Sequence, residues 1–205
     1  MPHMDEHYYV SGYSVENDPY VMPNGVLVNL LGLNATADLN LAEAELVPLR
    51  TLQLWESPLP GQCDLAHLQA IHQHLFQDIY PWAGRIRQVD IAKNETVFLP
   101  HGQIVAEAGA LFGANAMDLA NPDLGSRELC ERLAVVLGRL NYIHPFREGN
   151  GRSQRELLNV MIRSRGYWFD WSGHSPQAMK QACVAAIAGD FGPMIRMLRV
   201  AMVEL

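Results

Sequence analysis

The sequence predicts a mainly α-helical protein that folds as a single domain with one small β-hairpin. Apolar residues recur at helical spacing in several separate segments, whereas apolar and polar residues alternate only within residues 86–100. No internal repeat, low-complexity tract or linker divides the 205 residues. The chain is 49% apolar and 18% charged, which allows a sizeable core and excludes a disordered chain.

Two helices are predicted before the hairpin. The first covers residues 40–55, and Pro48 is expected to kink it or delay its start. Its inward side is expected to carry apolar residues at mixed helical spacing: Leu41, Ala44, Leu46, Leu49 and Leu52. The second begins after Asp64, a suitable N-cap, and ends before Pro81. Its buried face is expected to carry Leu68, Ile71, Leu75 and Ile79.

The hairpin is predicted within residues 86–100. Val89 and Ile91 alternate with polar neighbours, residues 93–95 can turn, and residues 96–98 can form the return strand.

The strongest helical pattern covers residues 126–143, where Ser126 can serve as the N-cap. Its apolar residues form one stripe: Leu129, Leu133, Val136, Leu140 and Ile143. The preceding segment, residues 104–117, is also predicted to be helical. Because it is rich in Ala and Gly, we expect it to pack closely against a neighbouring helix.

Three further helices are predicted towards the C-terminus. The first follows the Gly149-Asn150-Gly151 break and stops at residues 165–166. The next starts at Ser175-Pro176, an N-cap followed by a proline at the first helical position. The last begins at Asp190, and its inward residues are Phe191, Met194, Ile195, Leu198 and Met202.

Residues 1–17 are expected to form an irregular N-terminal arm, and residues 18–205 the folded domain. The arm lacks an apolar signal-peptide core, and no segment approaches the ~20 apolar residues of a membrane span. Three cysteines without a CxxC pair argue against a disulfide framework and a zinc ribbon. We therefore expect a cytoplasmic protein, although delivery by a host-directed secretion system would leave no mark in these features.

Charge is distributed unevenly along the chain. The net charge of −7 opposes non-specific binding to nucleic acid and to anionic membranes, so we expect neither as a partner. Residues 139–165 depart from this average, because they hold six arginines and only two glutamates, a local net charge of +4. This window is where an anion site is expected.

The Gly149-Asn150-Gly151 segment has the composition of an anion nest. Glycines on both sides of Asn150 let successive N–H groups point inward, and the next helix adds its positive N-terminal end. Arg152 and Arg155 share a face of the first turn, where Asp or Glu is normally favoured. Two guanidinium groups at a positive helix end require an anion, and their forked geometry suits phosphate. The segment therefore predicts a polyphosphate site.

Glu148 and His144 add chemistry to this site. A carboxylate directly before the nest suits Mg²⁺ that bridges phosphate oxygens. An imidazole with an unperturbed pKa near ~6.5 suits proton abstraction from a hydroxyl. Taken singly, such a histidine is more often a helix cap, and such a glycine pair an ordinary turn. A zinc site on His144 and Glu148 would lack a third ligand, and the chain has no P-loop or dinucleotide-binding glycine motif.

The segment from His144 to Arg155 resembles the signature of the Fic family, H-x-F-x-[DE]-G-N-G-R-x-x-R, at every specified position. Residues 18–27, and residues 81–87 with Phe98, also resemble the family, so the similarity covers roughly residues 18–200. The resemblance implies a helical Fic fold that transfers AMP from ATP to a Ser, Thr or Tyr hydroxyl of a target protein and releases pyrophosphate.

The resemblance also implies a role for each residue of the motif. His144 would deprotonate the target hydroxyl, Phe146 would anchor the loop in the core, and Glu148 would coordinate Mg²⁺. The remaining residues would bind ATP: Gly149, Asn150 and Gly151 as the anion hole, with Asn150 at the α-phosphate, Arg152 at the β- and γ-phosphates, and Arg155 at the γ-phosphate.

The hairpin would be the flap that pairs with the backbone of the target protein. Its residues are Lys93, Asn94, Glu95, Thr96, Val97 and Phe98. An ordinary exposed hairpin is the alternative interpretation.

Two alternatives to adenylylation follow from the same resemblance: a Doc-like protein kinase and a non-catalytic nucleotide-binding module. The related Doc kinases carry Lys in place of the second glycine of the nest, so Gly151 favours adenylylation. A binding module has no need for His144.

Regulation and target are also implied by the resemblance. Many Fic proteins carry an inhibitory helix with the pattern [ST]-x-x-x-E-[GN], but Gly12 precedes Glu16-Asn17 where the pattern requires Ser or Thr. We therefore expect a separate small antitoxin to supply the glutamate, with this chain as the toxin. Type II topoisomerase subunits are family targets and hence candidate targets here.

Overall fold

The computed structural model describes residues 18–93, 96–121 and 123–205. This part of the chain forms seven α-helices: α1 (Thr36–Glu56), α2 (Leu65–Phe76), α3 (Ile104–Ala120), α4 (Ser126–Ile143), α5 (Asn150–Arg163), α6 (Pro176–Ile187) and α7 (Gly192–Ala201). Two antiparallel strand pairs complete it: β1 (Ala92–Lys93) with β2 (Thr96–Val97), and β3 (Tyr167–Phe169) with β4 (Met202–Glu204). The mainly α prediction with a small hairpin is confirmed. The predicted N-terminal arm, residues 1–17, lies outside the described residues.

Helix α4 lies between two apolar clusters. All five residues of its predicted stripe are at most 3% exposed. Val136, Leu140 and Ile143 pack into a cluster with α1, α2 and α3, while Leu129 and Leu133 join a cluster with α5, α6 and α7. The C-terminal end of this doubly packed helix is thereby held in place, and the predicted phosphate site follows it directly.

Two predicted N-caps are confirmed and one is wrong. The carboxylate of Asp64 accepts the N–H of His67 at 2.8 Å, and the hydroxyl of Ser175 accepts the N–H of Ala178 at 3.1 Å. Ser126 is instead the first residue of α4, whose N-cap is Gly125 with no side-chain capping bond. Capping of the N2 and N3 amides is made by the residue before the first helical position, and glycine there has no side chain to supply it.

The predicted inward face of α1 is wrong except at Leu46, which is partly buried against the core. Leu41, Leu49 and Leu52 are 64%, 59% and 53% exposed, whereas the helix buries Leu39, Glu43, Val47 and Leu54. The helix also starts four residues earlier than predicted and continues through Pro48. The buried face of α1 contacts both the apolar core and Arg152, which pairs with Glu43. Apolar periodicity can indicate only the contact with the core.

Other departures lie in α3 and near the C-terminus. Gly109 and Gly113 of α3 face open space, so its glycines do not mediate close packing. Helix α7 begins at Gly192 rather than Asp190, and Met202 belongs to β4. The pairing of β3 with β4 was not predicted, because three-residue strands are too short to display a pattern.

Among the described residues, no helix has the length and apolarity needed to cross a membrane. Cys63, Cys130 and Cys183 are free thiols.

Candidate active site

The loop between α4 and α5 is closed by two residues with left-handed backbone conformations. His144 has φ +47° and donates its N–H to the carbonyl of Leu140 at 2.9 Å, which caps α4. Gly149 has φ +82° and precedes the first residue of α5. A Cβ at position 149 would lie 2.4 Å from the Phe76 ring, so this position requires glycine.

The hydrogen bond of the His144 ring fixes its tautomer. Nδ1 lies 3.0 Å from the carbonyl oxygen of Asn141, so Nδ1 carries the proton and Nε2 carries the lone pair. Burial lowers the pKa of His144 to about 3, which keeps the ring neutral at physiological pH. The ring stacks on Phe98 with centroids 3.7 Å apart. His144 therefore has the tautomer and the protonation state of a general base, and its Nε2 is buried.

A second histidine, His72 of α2, contacts the loop between α4 and α5 and holds it in place. Its Nδ1 accepts the N–H of Gly84 at 2.8 Å, so its Nε2 donates to the carbonyl of Glu148, 2.9 Å away. The ring also stacks on the fully buried Phe146, with centroids 3.9 Å apart. Burial lowers the pKa of His72 to about 4, so the neutral form that makes both bonds persists at neutral pH.

The side chain of Asn150 closes the loop on itself. Its Oδ1 accepts the N–H of Phe146 at 2.8 Å, and its Nδ2 donates to the carbonyl of Phe146 at 2.7 Å. Asn150 is 2% exposed. Both polar atoms of its amide group thus maintain the loop, so the N–H groups at the start of α5 are the donors that lie open to an anion.

The N-terminus of α5 has the features of an anion site. No side chain caps this helix, and Gly151 is exposed in its first turn. The Arg152 guanidinium lies 4.7 Å above the Phe76 ring and contacts the carboxylates of Glu43 at 2.6 Å and Glu148 at 3.4 Å. The structure therefore brings the predicted nest and the first arginine together.

Arg155 lies on the same helix in a different environment. Its guanidinium is 6.0 Å from the Trp171 ring, and within the described ranges it has no hydrogen bond or ion pair. Burial and the neighbouring Arg152 charge lower its pKa. The negative charge of Glu156 offsets this effect in part without forming an ion pair. Arg155 can therefore accept a further anion.

Glu148 is partly exposed, and its Oε1 accepts the N–H of Gly149 at 2.8 Å. No group of three His, Cys, Asp or Glu side chains able to hold a metal occurs in the described part of the chain. Mg²⁺, however, commonly binds to one or two protein carboxylates together with substrate phosphates. A single accessible carboxylate beside an anion nest fits an Mg²⁺ ion that arrives with a nucleotide.

The predicted flap lies beside His144. Lys93 of β1 pairs with Thr96 of β2, and the positive charge of Lys93 contributes to the lowered pKa of His144. Phe98 is 6% exposed and stacks on His144, whereas Val97 is 59% exposed. Asn94 and Glu95 lie outside the described residues. Phe98 therefore packs against the ring of His144, and Val97 is the described residue of the flap whose side chain is exposed to solvent.

Two residues beside the motif also hold the loop, and their roles were not predicted. The fully buried Arg87 donates to the carbonyls of His144 at 2.8 Å and Val89 at 2.6 Å, and also to that of Leu99. Asp18 pairs with Arg147 at 3.0 Å. No local pattern indicates these contacts, because the partners are 57 and 129 residues apart in the sequence.

Glu43 was missed for a different reason. Leu39, Glu43 and Val47 are spaced four residues apart and so share one face of α1. This spacing could have marked Glu43 as buried, but a charged residue does not register in a search for apolar periodicity.

Comparison with known proteins agrees with this geometry. Residues 62–162 match the model of the Fic/DOC family. The probable protein adenylyltransferase Fic of Salmonella typhimurium is 34% identical over 178 residues, which cover 86% of this chain and 88% of that protein. The chain belongs to the Fic/DOC family.

A longer relative and a solved structure extend the comparison. The protein adenylyltransferase VbhT of Bartonella schoenbuchensis is 36% identical over 188 residues, which cover 91% of this chain but only 39% of VbhT. The crystal structure of BepC from Bartonella tribocorum with bound AMPPNP superposes with a TM-score of 0.83 at 25% identity, covering 91% of this chain and 97% of that one. The predicted Fic fold is thereby confirmed.

Proposed function

We propose that this chain is a protein adenylyltransferase, which transfers AMP from ATP to a Ser, Thr or Tyr hydroxyl of a target protein and releases pyrophosphate. The observation that carries the proposal is the His144 tautomer: Nδ1 donates to Asn141, so the basic Nε2 belongs to a neutral ring beside an uncapped helix N-terminus. The names of VbhT and Fic, and the AMPPNP in BepC, support the same activity.

In this mechanism Nε2 of His144 takes the proton of the target hydroxyl as its oxygen attacks the α-phosphorus. The bond to the β,γ-pyrophosphate breaks, and pyrophosphate leaves. The imidazolium that forms keeps its Nδ1–H bond to the carbonyl of Asn141. Burial holds the pKa of His144 low, but the negative charge of a triphosphate would favour the protonated form and so strengthen the base.

The N-terminus of α5 would hold the phosphates. The N–H groups around Gly149, Asn150 and Gly151 are assigned to the α-phosphate, Arg152 to the β- and γ-phosphates, and Arg155 to the γ-phosphate. Catalysis then consists of positioning and of stabilising phosphoryl charge. Glu148 would hold Mg²⁺, which neutralises phosphate charge when bound.

Adenylylation is favoured over phosphorylation by Gly151. A side chain at this position would begin 3.3 Å from Nη1 of Arg155, and the related Doc kinases carry Lys there. Glycine leaves this space free for the phosphate chain. A non-catalytic nucleotide-binding module would not need a histidine held in a basic tautomer.

Labelled ATP distinguishes the three functions. The chain is incubated with lysate, Mg²⁺ and ATP labelled at either the α- or the γ-phosphate. We expect label on protein only from α-labelled ATP. Protein-bound γ-label would establish a kinase instead, and binding of ATP without any transfer would establish a module.

The flap is proposed to pair with an extended segment of the target, with Val97 at the contact. Its position beside His144 supports this, because a docked hydroxyl would then lie near the base. Type II topoisomerase subunits are the first targets to test, on the strength of the family resemblance. Mass spectrometry of adenylylated proteins in expressing cells identifies the target and its modified residue.

We further propose that the chain is a cytoplasmic toxin restrained by a small antitoxin whose glutamate pairs with Arg155. The absence of an ion-pair partner for Arg155 among the described residues supports an external carboxylate. Co-expression with the neighbouring small open reading frame is expected to relieve growth arrest and to abolish transfer. If the chain alone is harmless and inactive, this regulation is excluded.

A further inference from the structure

Helix α1 buries a carboxylate while it leaves large apolar side chains in solvent. Glu43 is 8% exposed, whereas Leu41 is 64% and Leu52 is 53% exposed. The same inward face also carries the buried Leu39, Val47 and Leu54. Burial of a carboxylate is unfavourable unless the charge is paired and hydrogen-bonded. The partners of Glu43 must therefore offset the cost of burying its charge.

Both carboxylate oxygens of Glu43 are engaged. Oε1 accepts the hydroxyl hydrogen of Tyr80, and Oε2 lies 2.6 Å from Nη2 of Arg152. Tyr80 is fixed by stacking on Trp82, with centroids 4.2 Å apart. Burial and the charge of Glu43 raise the pKa of Tyr80, so its hydroxyl stays protonated as a donor. The carboxylate is thus held from one side and presented to Arg152 on the other.

Glu43 occupies only part of the Arg152 guanidinium. The contacts given for Glu43 and for Glu148 both use Nη2, and neither Nε nor Nη1 forms a hydrogen bond with a described residue. The flat face of the guanidinium lies over the Phe76 ring. The protein therefore holds the Arg152 guanidinium through Nη2 and through the face that lies over Phe76. The N–H groups of Nε and Nη1 remain available to a ligand. This arrangement preorganises an arginine for an oxyanion.

We propose that Glu43 is a positioning residue, which orients Arg152 towards the β- and γ-phosphates of the nucleotide through the chain Tyr80–Glu43–Arg152. This inference rests on the proposed function, because it assumes that Arg152 binds those phosphates. Glu43 itself does not touch the nucleotide. The role explains why α1 turns a carboxylate inwards.

Glu43→Gln tests the proposal, because it keeps the size of the side chain and removes its charge. Glu45→Gln is the matched control, since Glu45 is exposed on the same helix. Isothermal titration measures the Kd of AMPPNP and of AMP for both variants and for Arg152→Ala. We expect Glu43→Gln to weaken AMPPNP binding about tenfold, the effect of losing one charge-assisted hydrogen bond, and to leave AMP binding unchanged. Glu45→Gln should bind both ligands as the natural chain does.

Two further variants refine the result. Tyr80→Phe should weaken AMPPNP binding in the same direction but less. Glu43→Gln should have no additional effect in the Arg152→Ala background, because its influence passes through that arginine. Thermal melting of each variant shows whether it is folded at the titration temperature.

The failures are distinguishable. If Arg152→Ala weakens AMPPNP binding but Glu43→Gln does not, the positioning role is wrong and the proposed function stands. If neither change matters, the phosphate-binding role assigned to Arg152 is wrong as well. An equal loss for AMPPNP and AMP would show a merely structural role, and tighter AMPPNP binding would show that Glu43 competes with phosphate. Each of these outcomes overturns the proposal.

Discussion

Helices α4 and α1 bury opposite kinds of surface. Every buried residue of α4 is apolar or glycine, and the helix is enclosed by core on two sides. Helix α1 has core on one side only, buries Glu43 and exposes Leu41, Leu49 and Leu52. The difference separates two tasks: α4 is a scaffold whose end carries His144, whereas α1 also brings a charge to Arg152. Apolar periodicity in the sequence indicates the packing of α4 but not the contact between Glu43 and Arg152.

The largest effect is expected at the end of α4. His144→Ala should lower the rate of AMP transfer roughly 100- to 10,000-fold, the usual contribution of a general base. ATP binding should persist, since the proposed phosphate donors lie on α5. Transfer of α-labelled phosphate and calorimetric titration measure the two quantities. If His144→Ala transferred AMP at the natural rate, His144 would not be the general base, and α4 would have only a structural role.

The loop after α4 should tolerate no side chain at position 149. Gly149→Ala adds both a left-handed strain and a clash with Phe76, and we expect a loss of about 3 kcal/mol in unfolding free energy. Gly166→Ala is the matched control, because Gly166 has φ +80° but open space around its Cβ direction. It should cost only about 1 kcal/mol. Urea unfolding compares the two, and equal losses would show that the Phe76 contact is unimportant.

A smaller effect should appear as a dependence of stability on pH. The folded-state pKa values of His72 and His144 are lowered to about 4 and about 3, so below pH ~6.5 the unfolded chain binds protons that the folded chain does not. Stability should therefore fall between pH 7 and pH 5, by about 2 kcal/mol for each histidine.

Urea unfolding at the two pH values measures this loss. His72→Gln should retain a donor and an acceptor while removing the share of the pH dependence that belongs to His72. An unchanged difference between pH 7 and pH 5 in this variant would contradict the assignment.

The smallest effect is expected on the outer face of α1. Leu52→Ala should change the unfolding free energy by less than about 0.5 kcal/mol, because Leu52 is exposed. Leu133→Ala of α4 is the comparison, and its loss should be about 2–5 kcal/mol because Leu133 is fully buried. A large loss at Leu52 would mean that the outer face of α1 is covered in solution.

Prediction from the sequence succeeded for features that are decided by residues close together in the chain. The Asp64 and Ser175 caps lie three residues from the amides that they bind. The residues from His144 to Arg155 are contiguous, so their donor types could be read directly. Prediction failed for Ser126 because α4 starts one residue earlier than expected, with Gly125 as its N-cap. It failed for the glycines of α3 and for β3–β4 because a neighbour elsewhere in the chain, or its absence, decides those features.

The sequence alone determined the helical class, the buried stripe of α4 and which donor and acceptor groups residues 144–155 carry. Local spacing is sufficient for these, since helix faces and phosphate nests repeat within a few residues. Only the tertiary structure decided which tautomer His144 adopts, that His72 and Arg87 hold the loop, and that Glu43 faces Arg152. Those contacts either join residues far apart in the sequence, from 57 positions for Arg87 with His144 to 109 (152 − 43) for Glu43 with Arg152, or depend on a single ring nitrogen. No pattern along the chain records them.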